Sequence, residues 1–133
     1  MRYLLDTAAV SDYFRRVGAT HDRVQAQPPH ALAISTITEH EIRFGLALKP
    51  GATRLSGLVR SFLQVVEVLP FDREDAASAA EVRVALHRSG TPIGDYDALI
   101  AGVALARELT LVTSNVKHFN KVPGLDVENW REE

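Results

Sequence analysis

The strongest constraint in this chain is an alternation in which short apolar runs, each stopped by a polar or turn-forming residue, take turns with segments whose apolar residues recur every three or four positions. Tyr3 to Leu5 stops at Asp6, and Val10, Tyr13, Phe14 and Val17 follow at helical spacing as far as Gly18. After a polar stretch ending at Pro28 and Pro29, Ala31 to Ile34 forms a second run. Ser35 or Thr36 then caps a helix that runs toward Leu48 and is stopped by Pro50 and Gly51. An amphipathic segment around Leu55, Leu58, Val59 and Phe62 leads into the β-branched run Val65 to Leu69, which Pro70 closes.

The second half repeats the rhythm. Asp72 followed by Asp75 gives a capped start to a long alanine-rich helix that Gly90 ends after Leu86. Gly94 and Asp95 open another helix through Leu109, Leu109 to Thr113 is a fourth strand, and Val127 with Trp130 supplies a short last one. Strands alternating with helices imply a mainly parallel central sheet with helices over both faces, so the fold class is α/β, a three-layer α/β/α sandwich. No internal repeat, low-complexity tract or linker divides it. A single domain over residues 1–133 is the expectation, and its 46% hydrophobic content suffices for one core.

No apolar run approaches the roughly 20 residues of a membrane span, and the MRYLLDT start lacks the greasy stretch of a secretory signal. A soluble, cytoplasmic protein is therefore expected. With no cysteine, disulfides, thiolate metal sites and a cysteine nucleophile are excluded, so any metal must accept oxygen or imidazole. A net charge of −2 argues against a surface coated in positive charge for nucleic acid. A local patch can still gather from Arg43, Lys49, Arg54, Arg60, Lys117 and Lys121, with Glu108, Glu128, Glu132 and Glu133 placed elsewhere. The plainer reading is a solvated surface for most of them.

Ligands of open parallel sheets bind beyond the carboxyl ends of the strands. Asp6 ends the first strand, Asp97 lies in the first turn of the helix opened by Gly94, and Ser114 and Asn115 follow the fourth strand. Glu41 stands four residues after Ile37, three before Phe44 and seven before Leu48, which places it on the stripe expected to face the core. Asp97 repeats that pattern with Ala101 and Ala104. Buried carboxylates need a cation, a metal or a shifted pKa. Hard oxygen donors without cysteine or paired histidine suit Mg²⁺ or Mn²⁺, and such an ion fits phosphodiester hydrolysis with water as nucleophile.

Each acid also has a plainer role: Asp6 as a helix cap, Asp97 as a first-turn acid, Glu41 as the partner of a buried arginine, and Asp95 as a cap. The five histidines show no metal-ligand spacing and are read as surface or packing residues. Nucleotide cofactors are not expected, because no Walker loop or dinucleotide fingerprint is present. A phosphoacceptor or dehalogenase-like site is disfavoured. Ala8 stands where the second would need another Asp, and the middle strand ends at Pro70 where the first would need its acceptor.

The chain resembles the PIN-domain nucleases, and among them the VapC-like toxins of bacterial type II toxin–antitoxin modules. The resemblance rests on LLDT at Leu4 to Thr7, ISTITEHEIRFG at Ile34 to Gly45, GTPIGDYDALIAGVALA at Gly90 to Ala106, and LVTSNVKHF at Leu111 to Phe119. It implies a PIN-like sandwich and a Mg²⁺- or Mn²⁺-dependent endoribonuclease in which Asp6, Glu41 and Asp97 are both catalytic triad and metal ligands. Thr7, Thr113, Ser114 and Asn115 are auxiliary. It further implies a cognate antitoxin, an RNA substrate, in particular the anticodon stem-loop of initiator tRNA, and a homodimer that meets operator DNA only through the antitoxin. Asn115 replaces the fourth acid of many PIN domains, so the number of ions stays open, and Ala8 replaces a frequent Asn or Ser, which removes one hydrogen-bonding partner near Asp6. The alternative is a PIN-fold module with weak turnover that acts by binding antitoxin or RNA.

Overall fold

A computed structural model describes residues 1–132. Five strands, β1 (Tyr3–Leu5), β2 (Leu32–Ser35), β3 (Glu67–Leu69), β4 (Thr110–Val112) and β5 (Val127–Glu128), form one sheet in the order β3-β2-β1-β4-β5. Every neighbouring pair is parallel, with Tyr3 opposite Leu32 and Leu5 opposite Val112. The helices are α1 (Thr7–Arg15), α2 (Thr20–Ala26), α3 (Thr36–Ala47), α4 (Thr53–Val65), α5 (Arg73–Arg88), α6 (Asp95–Ala106) and α7 (Val116–Phe119). The α/β sandwich with a parallel sheet is thus the fold. Glu133 lies outside the described residues.

Side chains alternate across each strand and so divide the interior into two cores. Leu4, Ala33 and Leu111 point to the side covered by α5 and α6, where they meet Val82, Leu86, Ile100 and Val103. Tyr3, Leu5, Ile34 and Val112 point to the other side, toward Val10, Val24, Phe62 and Trp130. Each large buried side chain contributes about 1.5–3 kcal/mol. Helices α5 and α6 approach closely because a Cβ at Gly102 would stand 2.6 Å from Ala79, which leaves room for glycine alone.

Several boundaries differ from the sequence reading, each for a local reason. Helix α2 lies in the stretch taken as polar connection, since only Thr20 and Val24 of its seven residues are buried and no apolar period shows. Helix α7 is a single turn, too short for periodicity. Val65, 63% exposed, still belongs to α4, because the buried spacing Val59, Phe62, Val66 continues the helix and strand pairing begins only at Glu67. Helix α6 ends at Ala106 rather than Leu109. There Glu108 takes a left-handed conformation, φ 55°, and the amide of Leu109 donates to Ala104 carbonyl at 2.8 Å, which turns the chain into β4. The capped start of α5 is present as a reciprocal capping box between Asp72 and Asp75.

Candidate active site

Strand order reverses between β1 and β4: the chain leaves β1 toward β2 and β3 on one side, and leaves β4 toward β5 on the other. Such a switch point opens a crevice at the carboxyl ends of the two central strands. Asp6 sits at its base. The Asp6 amide donates to Val112 carbonyl at 3.1 Å, and its carboxylate, only 2% exposed, accepts the Ala9 amide at 2.8 Å as the cap of α1.

Capping explains the position of Asp6 without neutralising it. Burial pushes its carboxyl up to about 7 and the negative charges of Asp97 and Asp12 push the same way. Hydrogen bonds from the Thr113 hydroxyl and the Ala9 amide offset part of this. Thr113 is itself oriented, because its Oγ1 accepts the Asn115 amide at 2.9 Å.

Asp97, in the first turn of α6, shares a face with the fully buried Ala101 and Ala104, as its spacing predicted. Its carboxylate lies 3.3 Å from Nε2 of His118 on α7. Burial raises the Asp97 carboxyl above its ordinary range, and the His118 contact holds it partly down.

Glu41 departs from expectation. It is half-buried, but Phe44 and Leu48 on its supposed core stripe are 61% and 67% exposed. Helix α3 buries only Thr38 fully, with Ile37 and Ile42 packed on the two cores, and its C-terminal half carries apolar residues outward. What holds Glu41 is polar: Thr7 Oγ1 donates to Oε1 at 2.6 Å, with Thr38 Oγ1 3.5 Å from the same hydroxyl. Because Thr7 follows Asp6 directly, this bond ties Glu41 to the end of β1.

Asn115 is exposed and Ser114 half-buried beside Thr113. Asp95 makes no cap hydrogen bond. Gly94 holds the cap position of α6, and Asp95 pairs with Arg83 at 3.2 Å on the surface.

As the side chains stand, no three carboxylate or imidazole groups among the described residues are grouped closely enough to hold a metal ion. The donor chemistry nonetheless fits a hard divalent cation at Asp6 and Asp97. They are oxygen donors, their charges oppose one another, and burial without a guanidinium partner leaves Asp6 the proton as its neutraliser. Glu41 is held by Thr7 instead of closing on that pair. The reading from sequence overlooked His118, set aside for lack of histidine spacing, and Thr38. One signal for His118 existed, since it follows Asn115 by one helical turn.

The PIN domain family profile matches residues 3–125. A tRNA(fMet)-specific endonuclease VapC of Salmonella typhimurium is 37% identical over 99 residues, 74% of this chain and 75% of that protein. A ribonuclease VapC2 of Haemophilus influenzae is 28% identical over 98% of both chains. Among solved structures, DNA-bound VapBC from Salmonella typhimurium superposes with a TM-score of 0.89 at 31% identity, covering 98% of each chain. VapBC2 from Rickettsia felis, bound to a DNA fragment from its promoter, gives 0.88 at 28% identity, covering 98% of this chain and 99% of the other.

Proposed function

The chain belongs to the PIN-domain family, in its VapC-like branch, and from that membership we propose that it is the ribonuclease toxin of a toxin–antitoxin module. Its activity is divalent-metal-dependent endonucleolytic cleavage of RNA. The observation that carries this reading is Asp6: a buried carboxyl at the switch point of the sheet, without a cationic partner among the described residues, with a second acid raising its pKa.

Asp6 and Asp97 are the residues that would hold Mg²⁺ or Mn²⁺, with Glu41 at the margin of the site. A bound ion there would polarise a phosphoryl oxygen, acidify water and offset charge at the leaving oxygen. The protein's own groups do the rest. The Ala9 amide and Thr113 hydroxyl fix the Asp6 carboxylate, and Thr7 fixes Glu41 within reach of the same strand end. His118, 3.3 Å from the Asp97 carboxylate, holds that acid in place.

The substrate we assign is tRNA, specifically the initiator anticodon stem-loop, on the strength of the Salmonella relative named for that specificity. Solved VapBC relatives, two of them on DNA, and a toxin–antitoxin complex from Klebsiella pneumoniae support a cognate antitoxin for this chain and contact with operator DNA through it. A homodimer and a cytoplasmic setting complete the reading. No helix among the described residues is long and apolar enough to cross a membrane.

The test is to incubate purified protein with total tRNA in Mg²⁺, Mn²⁺ or chelator and to sequence the new RNA ends. Metal-dependent cuts in the initiator anticodon loop that vanish in a folded Asp97→Asn variant support the proposal. Cuts confined to another RNA would correct the substrate. No cleavage of any RNA with either ion would favour the PIN-fold binding module over the enzyme.

A further inference from the structure

From Ile42 to Val66 the sequence contains no Asp or Glu but carries Arg43, Lys49, Arg54 and Arg60, although the whole chain is net −2. The fold turns this segregation into a place. The C-terminal half of α3, the connection after it and the first half of α4 enclose an open cleft of about 570 Å³ whose rim holds Arg43, Lys49 and Arg60, with the hydroxyls of Thr53 and Ser56 between them. No acidic residue lines it. Arg43 is partly neutralised by Glu39 at 2.7 Å, whereas Lys49 and Arg60 are exposed and make no ion pair among the described residues.

This cleft adjoins the candidate active site through one rigid element. Glu41 precedes Arg43 by two residues and Lys49 by eight on or just beyond α3, about 12 Å at 1.5 Å per residue. A strand whose phosphate lies in the acid-lined crevice therefore meets cationic surface within a few nucleotides. Asp6, Asp97 and Glu41 supply no positive charge of their own, so attraction for a polyanion beyond that of a bound metal ion has to come from beside them. The larger groove between α1, α2 and α4 also carries Arg15, Arg16 and Arg54, but Tyr13, Phe14, Leu58 and Phe62 give it a mainly apolar floor that suits a phosphate backbone less well than the α3–α4 cleft.

We propose that the α3–α4 cleft is the seat of the RNA backbone flanking the cut, with Lys49 and Arg60 on successive phosphates and Arg43 turning from Glu39 to the strand when RNA arrives. This rests on the ribonuclease reading for its ligand. It goes beyond it by assigning residues that bind substrate through charge, without reading sequence.

The test measures binding separately from cleavage. A fluorescently labelled stem-loop RNA is titrated with full-length protein carrying Asp97→Asn, across a range of salt. The comparison is between Lys49→Gln/Arg60→Gln and Arg88→Glu, a cation outside the cleft whose reversal changes net charge by the same amount. The double variant should bind about tenfold more weakly or worse. Its salt dependence should be shallower by about 1.4, at about 0.7 per single-strand phosphate contact. Arg88→Glu should keep the parental slope.

Equal affinities and slopes for the two variants overturn the assignment, whether or not the wild type cuts RNA. Loss of antitoxin binding in the double variant with RNA binding intact also overturns it and gives the cleft to a protein partner. RNA binding that depends on Lys49 and Arg60 in a protein that cleaves nothing sinks the ribonuclease reading while leaving the cleft assigned.

Discussion

Asp6 and Asp75 are buried almost equally, at 2% and 1% exposed, and both lie at the start of a helix, yet their surroundings are opposite. Asp75 accepts Nε and Nη2 of Arg107 at 3.3 and 3.0 Å and the Asp72 amide at 2.9 Å. Asp12, equally buried, accepts Nε and Nη2 of Arg131 at 2.7 and 2.8 Å. Both guanidiniums are held more firmly protonated by these carboxylates. Asp6 has an amide and a hydroxyl but no cation, and its proton is retained to about pH 7. Burial of a carboxylate is therefore not the functional mark in this fold. What sets Asp6 apart from Asp12 and Asp75 is burial without a guanidinium.

The sharpest way to break this contrast is to neutralise both residues. Asp6→Asn should reduce RNA cleavage by about 10³-fold or more, since it removes the central charge of the site, while the metal-free protein melts no lower than wild type at neutral pH. A folded Asp6→Asn variant that cleaves normally would place Asp6 with the structural acids.

The next effect concerns pH. Asp6 has an ordinary value of 3.8 and about 7 in the fold. Between about pH 4 and 7 the folded, metal-free protein keeps a proton that the unfolded chain has lost, so stability falls as pH rises, by about 1.4 kcal/mol per unit. Urea melts at several pH values should show this slope in wild type and its loss in Asp6→Asn. A wild-type curve that rises over that window relative to the variant would contradict it.

Asp75→Ala should act in the reverse sense. It leaves Arg107, one quarter exposed, without its buried partner, at a cost of about 3 kcal/mol in thermal or urea unfolding, with cleavage unchanged wherever the variant is folded. The smallest effect is expected at Asp95, where Ala removes an exposed ion pair with Arg83. A loss of up to about 0.5 kcal/mol and no change in cleavage should follow. Loss of cleavage in folded Asp95→Ala would bring that residue into the site.

What could be read from sequence followed physical locality. Asp6 was visible because a strand of three apolar residues ended on it, and Asp97 because Ala101 and Ala104 repeated its face. Asp12 was not singled out, since its partner Arg131 lies 119 residues away and no local pattern links them. Glu41 reached the site by a different route from the one its spacing suggested. The apolar period through Phe44 and Leu48 marks surface that the fold leaves uncovered, and it is a threonine hydroxyl, not a core, that anchors the acid. Helices α2 and α7 escaped because two buried residues in the one and a single turn in the other carry no period. The parallel sheet was legible because strand and helix patterns alternate along the whole chain, whereas the strand order depends on crossovers that no short segment encodes.

Metal binding separates the two kinds of buried acid most directly. Mn²⁺ titration followed by calorimetry and by the melting temperature should show wild type binding the ion and gaining about 2.7 kcal/mol at a hundredfold excess over Kd, with Asp6→Asn and Asp97→Asn losing both signals. Asp75→Asn, where folded, should keep them. An Asp6→Asn variant that binds Mn²⁺ and is stabilised by it as well as wild type would show that the unpaired acid at the end of β1 is not the seat of a cation.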